Sequence, residues 1–240
     1  MTAVDTIEAT KRLNRSSEEL DMRALIVPEL RKRWPSARII HELPLRYSTN
    51  RIDLAAVTES EIISVEIKSS RDVMDRLEAQ LRAFQPISAR IIAALAPCWN
   101  QQLPMIEKKL EFGTSYTPQY TETQQIIRKV GGVEVWTVGV TAGKIEVTDG
   151  GPYRANRPWL AQMLDMLHVS ELVEIARRYQ IAVAKSPVHF ALVSDLVDFL
   201  QGREVIKATC AALRARNAFD KMSDPPIWPE HIPQGLQANE

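Results

Sequence analysis

Two carboxylates and one amine, Asp53, Glu66 and Lys68, have the types and the spacing of a small reactive site. The apolar, β-branched runs that contain them flank a polar turn at 58–61, a pattern that predicts a β-hairpin. With four residues in that turn, the register of the hairpin puts Asp53 directly opposite Glu66. Lys68 follows Glu66 by two residues, so the two side chains point to the same face of the sheet. The sequence therefore predicts all three side chains on one face.

Folding alone does not explain two opposed carboxylates. Directly opposed residues of an antiparallel pair have Cβ atoms about 5 Å apart, and like charges there are destabilising. A divalent cation between Asp53 and Glu66 would offset the repulsion, and hard cations such as Mg²⁺ and Mn²⁺ prefer carboxylate oxygens. The simpler interpretation is a surface salt bridge between Lys68 and one of the two acids.

The order of elements around the hairpin extends the pattern: helix, strand, the Asp53 strand, the Glu66-Ile67-Lys68 strand, helix and strand. This arrangement resembles the active site of the PD-(D/E)XK nuclease superfamily. Residues 20–97 are similar to its small stand-alone bacterial and phage nucleases, with Ile52 standing where the superfamily's name has proline. The matching stretches are Asp21-Met22-Arg23, Glu42-Leu43-Pro44-Leu45, Arg51-Ile52-Asp53-Leu54-Ala55, Glu66-Ile67-Lys68-Ser69, and then Asp72, Leu77 and Gln80.

The resemblance implies an α/β, restriction-endonuclease-like core, in which a mixed sheet is flanked by helices, and metal-dependent hydrolysis of phosphodiester bonds. It implies Asp53, Glu66 and Lys68 as catalytic residues, and it adds the Ile67 carbonyl to the two carboxylates as a ligand of Mg²⁺ or Mn²⁺. Lys68 would orient a water molecule or stabilise the charge of the transition state. DNA is the expected partner, and a homodimer stays open.

Glu42 is a candidate for an additional metal ligand, because it lies near the end of the strand before the hairpin. The alternative is an exposed carboxylate at the strand end. Acids of the first helix, Glu18, Glu19 and Asp21, could take that part instead, or could serve as favourable charges at the helix N-terminus.

A third group of residues could contact nucleic acid. Ser69 and Arg71 follow the lysine and could contact phosphate. Gln80 resembles a glutamine that sets the active-site lysine or the DNA in the exonuclease-like branch, although a solvated helix glutamine is the competing interpretation. Basic side chains on one face of the last helix could follow a nucleic-acid backbone, or could form an ordinary solvated face. They are Arg203, Lys207 and Arg214, with Arg216 near the helix end.

Composition limits the classes of protein. Thirty basic and thirty acidic residues give a pI near 6.9, which argues against coating of nucleic acid by bulk charge but permits a local basic cleft. Cys98 and Cys210 are too few and too far apart for a zinc site or a disulfide framework, and we expect them to be buried thiols. Neither a signal peptide nor a membrane span is expected, so the predicted location is cytoplasmic.

Periodicity and turn residues predict a core at 1–150, a helical region at 151–218 and a flexible tail at 219–240, and the resemblance implies that the core is nuclease-like. In the core we expect a helix at 71–85, with Val73 on its inner side, and a long excursion at 98–130 in which 104–112 is helical. The other predicted core elements are a helix at 16–34 with the apolar stripe Leu20, Ala24, Val27 and Leu30, strands at 37–43 and 90–96, and a hairpin of 133–139 with 144–148. Helices are predicted after the linker 150–158, at 158–168, 170–180, 189–201 and 203–217.

The function predicted from these observations is that of a magnesium-dependent deoxyribonuclease. A non-catalytic nucleic-acid-binding or assembly protein on the same fold is the first alternative. The complete set of Asp53, Glu66 and Lys68 argues against it, since a dead site would be free to lose members. An RNA nuclease is the second alternative.

Overall fold

Strands β3 and β4 form the centre of the sheet, and the side chains of both are almost all buried, including Ser64, Glu66 and Lys68 of β3. The structure, a computed structural model, describes residues 15–46, 49–110, 112–148, 156–218 and 220–228. Six strands form one mixed sheet in the order β1-β2-β3-β4-β7-β8, while β5 and β6 form a separate hairpin. The strands are β1 (Arg38–Pro44), β2 (Arg51–Val57), β3 (Ile62–Lys68), β4 (Arg90–Leu95), β5 (Ile106–Leu110), β6 (Gly113–Thr117), β7 (Val133–Gly139) and β8 (Lys144–Thr148).

Helices cover both faces of this sheet, which confirms the predicted α/β class with a mixed, helix-flanked sheet. The helix between β3 and β4 makes the two strands parallel, as expected for a strand–helix–strand crossover. The helices are α1 (Ser17–Arg33), α2 (Leu77–Phe84), α3 (Glu122–Val130), α4 (Leu160–Asp165), α5 (Val169–Arg178), α6 (His189–Phe199) and α7 (Gly202–Ala215).

The core has two parts, one on each face of the sheet. On one face, Met22, Ile26 and Leu30 of α1 pack against β2, β3, β4 and β7. On the other face, α2 and the helices α3 to α7 share one apolar cluster with the sheet. The division of the chain at residue 150 stays a prediction, because the helices beyond it share that cluster with the strands before it.

Helix α1 begins where the sequence predicted, since the Ser16 hydroxyl accepts a hydrogen bond from the Glu19 N–H at 3.1 Å. The predicted apolar stripe is wrong at Leu20 and Ala24, whose side chains are exposed. The buried apolar side chains of the helix are Met22, Ile26 and Leu30, which are four residues apart. Pro28 lies inside the helix, which continues to Arg33.

Helix α2 is shorter than the predicted helix at 71–85. The Asp72 carboxylate accepts hydrogen bonds at 2.7 Å from both the N–H and the hydroxyl of Ser69, which holds this segment in a turn. Helical structure therefore starts only at Leu77. The prediction that Val73 faces inward is wrong, since its side chain is exposed.

The excursion at 98–130 contains a strand pair and one helix. The predicted helix at 104–112 is wrong, because 106–110 is β5, which pairs with β6. Helix α3 was not predicted, although Thr121 and Gln124 form a capping box at its start. Cys98 is exposed in a single 3₁₀ turn after β4, whereas Cys210 is buried as predicted, and burial raises the pKa of its thiol to about 12.

The segment 220–228 lies along the free edge of β1, so the predicted flexible tail is wrong for this part. The Asp224 N–H donates to the Ile39 carbonyl, and the Ile39 N–H donates to the Asp224 carboxylate, both at 2.8 Å. The His41 N–H donates to the Ser223 hydroxyl at 2.8 Å. The rest of the predicted tail and most of the predicted linker 150–158 lie outside the described residues.

Within the described part of the chain, no helix has both the length and the apolar character needed to span a bilayer.

Candidate active site

The register between β2 and β3 follows the prediction. Cα partners run from Val57↔Ile62 to Leu54↔Val65, and the ladder ends one position before Asp53. There the Asp53 Oδ2 accepts a hydrogen bond from the Ile67 N–H at 2.8 Å. A carboxylate thus takes the place of a main-chain acceptor at the point where the two strands stop pairing.

The end of this ladder opens into a cavity of about 190 Å³ whose lining is almost entirely polar. It contains the three residues predicted to be catalytic and the residue between Glu66 and Lys68. The lining residues are Glu19, Thr49, Arg51, Asp53, Glu66, Ile67, Lys68, Asp72, Arg76 and Gln80.

Glu66 is almost completely buried and only partly neutralised. Its Oε1 lies 2.9 Å from the Lys68 Nζ, but its buried Oε2 has no hydrogen-bond partner among the described residues. Burial, followed by the charge of Asp53, raises the pKa of the Glu66 carboxyl well above its usual range, although Lys68 opposes the shift. The positive charge of Lys68 therefore does not offset the burial of Glu66 and the negative charge of Asp53.

The carboxyl of Asp53 also has a raised pKa, although the shift is smaller than that of Glu66. Burial raises the pKa of its carboxyl to about 6, even though the positive charge of Arg23 and the Ile67 N–H both lower it. The nearest atom of Arg23 lies 3.9 Å from the Asp53 Oδ1. Asp53 and Glu66 together thus form a pair of acids that resists ionisation.

Lys68 is held from two sides. Its Nζ contacts Glu66 and donates a hydrogen bond to the Gln80 Oε1 at 2.9 Å. Gln80 is buried on the first turn of α2, so the helix after β3 fixes the position of the lysine. This placement of Gln80 matches one of the roles predicted for it. The Lys68–Glu66 pair is buried, in contrast to the surface salt bridge considered as an alternative.

Glu42 does not line the cavity, and its role as an additional metal ligand stays a prediction. Its φ of 57° is left-handed, and it falls where the β1–β2 ladder skips one pair. The carboxylate is taken up by three arginines: Arg15 at 2.9 Å, Arg23 at 2.8 Å and Arg51 at 3.2 Å. Both of its oxygens are therefore already neutralised.

The acids of α1 have structural partners as well. Glu19 reaches the cavity, but its Oε1 accepts two hydrogen bonds from Arg23 at 2.7 and 2.9 Å. Glu18 accepts from the Ser70 N–H at 3.1 Å and so ties α1 to the turn after β3. Asp21 is exposed and does not line the cavity.

The predicted nucleic-acid contacts are only partly brought together. Ser69 is buried with both donors turned to Asp72, and Arg71 is exposed outside the cavity lining. Arg203 and Lys207 are exposed on α7. Arg214 turns to the Ser36 carbonyl at 3.4 Å and lies 3.8 Å from Glu59 in the hairpin turn, at the opposite end of β2 from Asp53. The basic stripe of α7 thus does not join the cavity.

Two arginines of the cavity were missed as site residues. Arg51 precedes Asp53 by two residues on the same strand, and Arg76 precedes Gln80 by four residues, which places them on one helical face. This spacing could have identified both. The positive charge of Arg76 acts on Glu66 and lowers the pKa of its carboxyl.

The donor atoms fit a hard divalent cation. In a strand, the N–H and C=O of one residue point to the same side, so the Ile67 carbonyl faces the gap where its N–H meets Asp53. The described residues hold no cluster of three or more His, Cys, Asp or Glu side chains suited to a metal. Mg²⁺ commonly uses one or two carboxylates and fills the remaining positions with water and substrate phosphate. The carboxylates of Asp53 and Glu66 and the carbonyl of Ile67 are ligands of that kind, and the Glu66 Oε2 has no hydrogen-bond partner among the described residues.

Comparison with known protein families finds a match to part of the chain. Residues 12–108 are similar to the sequence family described as Bacteriophage P4 protein cII. The matched segment extends from the region before α1 to the middle of β5 and contains every predicted catalytic residue. No curated protein and no solved structure matches the chain.

Proposed function

We propose that this protein is a metal-dependent nuclease of restriction-endonuclease-like fold that hydrolyses phosphodiester bonds in DNA. The observation that carries the proposal is the buried Oε2 of Glu66, which has no hydrogen-bond partner among the described residues. It lies near Asp53, whose own carboxyl has a raised pKa. A cation and a phosphate ester together would complete such a site, because the cation supplies the missing charge.

Asp53, Glu66 and the Ile67 carbonyl would hold Mg²⁺ or Mn²⁺. Bound there, the ion would act as a Lewis acid on the phosphate and would make a nearby water more acidic. Because burial leaves the charges of Asp53 and Glu66 weakly solvated, these carboxylates attract a cation more strongly than carboxylates in bulk water do.

The remaining groups of the cavity serve the substrate. Lys68 lies beside Glu66 with its amine fixed by Gln80, so it can stabilise negative charge on the reacting phosphate without reorganising. Arg51 and Arg76 give the cavity two further cations that can bind the flanking phosphates. The lining carries these three cations beside four acids, Glu19, Asp53, Glu66 and Asp72, so the cavity is not basic without a bound cation.

The direct test is incubation of the purified protein with linear duplex, nicked, single-stranded and circular DNA and with RNA. Each substrate is tested with Mg²⁺, with Mn²⁺ and with a chelator. Cleavage of DNA that requires the ion is the expected result. Cleavage of RNA alone would show that the substrate is RNA and not DNA. Binding of these nucleic acids without cleavage would favour a non-catalytic nucleic-acid-binding protein.

A further inference from the structure

The β5–β6 hairpin stands away from the core. All of residues 101–109 are exposed, and Phe112, in the loop between the strands, is 97% exposed. An isolated two-stranded hairpin is at best marginally stable in water. Exposure of both faces therefore points to a surface that gains its order from a partner.

The base of the hairpin is fixed at the edge of the sheet that carries the candidate site. Trp99, just after β4, donates its ring N–H to the Ser69 carbonyl at 2.8 Å, one residue beyond Lys68. The returning chain is joined to the outgoing chain by Gln124, whose amide donates to Asn100 at 3.1 Å and to the Gln101 carbonyl at 3.2 Å. The hairpin thus extends from the carboxyl ends of β3 and β4, beside the cavity.

The two faces of the hairpin differ in charge. Lys108 pairs with Ser115 and shares its face with Ile106 and Thr117, so the described side chains of this face include a cation and two hydroxyls but no acid. The other face carries Lys109 together with an acid. Its described side chains are Glu107, Lys109, Thr114 and Tyr116. The Lys108 face is therefore the one suited to phosphate.

The apolar side chains are distributed in a way that does not suit a protein partner. Ile106 lies on one face, Tyr116 lies on the other, Phe112 is in the loop and Met105 is at the base. The centre of a protein interface is more apolar than its rim, and the described side chains of neither face form a contiguous apolar centre. A two-stranded ribbon, in contrast, fits the major groove of duplex DNA, where hydroxyls and lysines contact phosphates.

We propose that the β5–β6 hairpin is an arm that contacts the substrate duplex through its Lys108 face. This inference rests on the proposed function, and it adds that the substrate includes double-stranded DNA beside the cleaved bond. The arm would add contacts to the duplex at a distance from the cavity that binds the reacting phosphate.

The test compares Lys108→Glu with Lys109→Glu, which make the same charge change on neighbouring residues of opposite faces. Binding to a labelled 30-base-pair duplex is measured by fluorescence anisotropy at several salt concentrations, without Mg²⁺ or Mn²⁺. We expect Lys108→Glu to raise Kd on the order of tenfold and to lower the salt slope by about one, while Lys109→Glu stays near wild type. Phe112→Ser should also weaken binding.

Equal losses in the two lysine variants, or wild-type binding by Lys108→Glu, would overturn the proposal. A wild-type protein that cuts DNA while Lys108→Glu binds normally would leave the nuclease in place and remove the arm. Binding that depends on Lys108 in a protein that cuts no DNA would leave the arm in place and remove the nuclease.

Discussion

Glu42 and Glu66 are buried carboxylates on strands of the same sheet, yet their surroundings differ in charge. Three arginines neutralise Glu42, and both of its oxygens have partners. Glu66 has one lysine, and one of its oxygens has no partner among the described residues. A buried acid that is fully compensated holds elements of the fold together. A buried acid with too little positive charge costs stability and is available to a ligand.

The strongest test of this comparison is the same substitution at both positions. Glu42→Gln leaves Arg15, Arg23 and Arg51 without their shared acid and should lower the free energy of unfolding by about 3–5 kcal/mol. Glu66→Gln should lower it by less without metal, because the neutral amide avoids the burial cost of the Glu66 charge, although it gives up the ion pair with Lys68. Urea unfolding of both variants in chelator measures the difference. Similar losses would show that the two acids have the same role.

Substitution of Lys68 tests whether the reaction takes place beside Glu66, the acid that is only partly neutralised. Lys68→Ala leaves the proposed metal ligands in place and should lower the rate of DNA cleavage about 10²- to 10³-fold. DNA affinity should fall only slightly, since at most one phosphate contact is lost. Lys32→Ala, on the exposed side of α1, is the matched control. Cleavage by Lys68→Ala at the wild-type rate would place the site elsewhere.

A bound cation should offset the negative charges of Asp53 and Glu66. Ligand linkage gives about 2.7 kcal/mol of stabilisation when free metal is a hundredfold above its Kd, so Mg²⁺ or Mn²⁺ should raise the Tm of the wild-type protein. Asp53→Asn should show a smaller rise, and its Tm in chelator should be no lower than that of the wild type, because repulsion with Glu66 is gone. Calorimetry with and without the ion measures both quantities. Equal metal responses would argue against a site at Asp53.

The smallest expected effect is on pH dependence. The pKa of Asp53 is raised in the folded protein, so the folded state binds more protons than the unfolded state between about pH 4 and pH 6. Stability from this group is therefore lost as pH rises through that window. His41 has the opposite effect, since burial followed by Arg23 lowers the pKa of its ring to about 4. Subtracting the pH profile of Asp53→Asn from that of the wild type in chelator cancels the histidine. The difference should fall from pH 4 to pH 6, and a flat difference would contradict the shift.

Local patterns predicted the centre of the fold because burial and turn length both constrain it. The four-residue turn fixed the register of β2 and β3, and the continuous apolar run of β4 identified a buried strand. The helix predicted at 104–112 failed for the opposite reason. The described side chains of that segment are exposed, so the spacing of its apolar residues does not reflect packing against a core. Its conformation follows instead from pairing with β6.

The structural role of Glu42 could not be predicted from the sequence. Its partners come from residues 15, 23 and 51, and only the folded chain brings them to one carboxylate. The ordered part of the tail escaped prediction because its contacts are hydrogen bonds to β1, which hydropathy does not register. In contrast, the spacing of Asp53, Glu66 and Lys68 predicted that they share one face of the sheet, and the three residues line one cavity.

The segment 220–228 has a consequence for the behaviour of the protein in concentrated solution. A free edge strand offers its unpaired N–H and C=O groups to any other strand, which makes it a starting point for aggregation. Ser223 and Asp224 occupy these groups on Ile39 and His41 with main-chain and side-chain bonds. Because a serine hydroxyl and a carboxylate cannot continue a ladder outward, the edge is closed without creating a new one. The last residues of the described chain thus prevent strands of other molecules from pairing with β1 and extending the sheet.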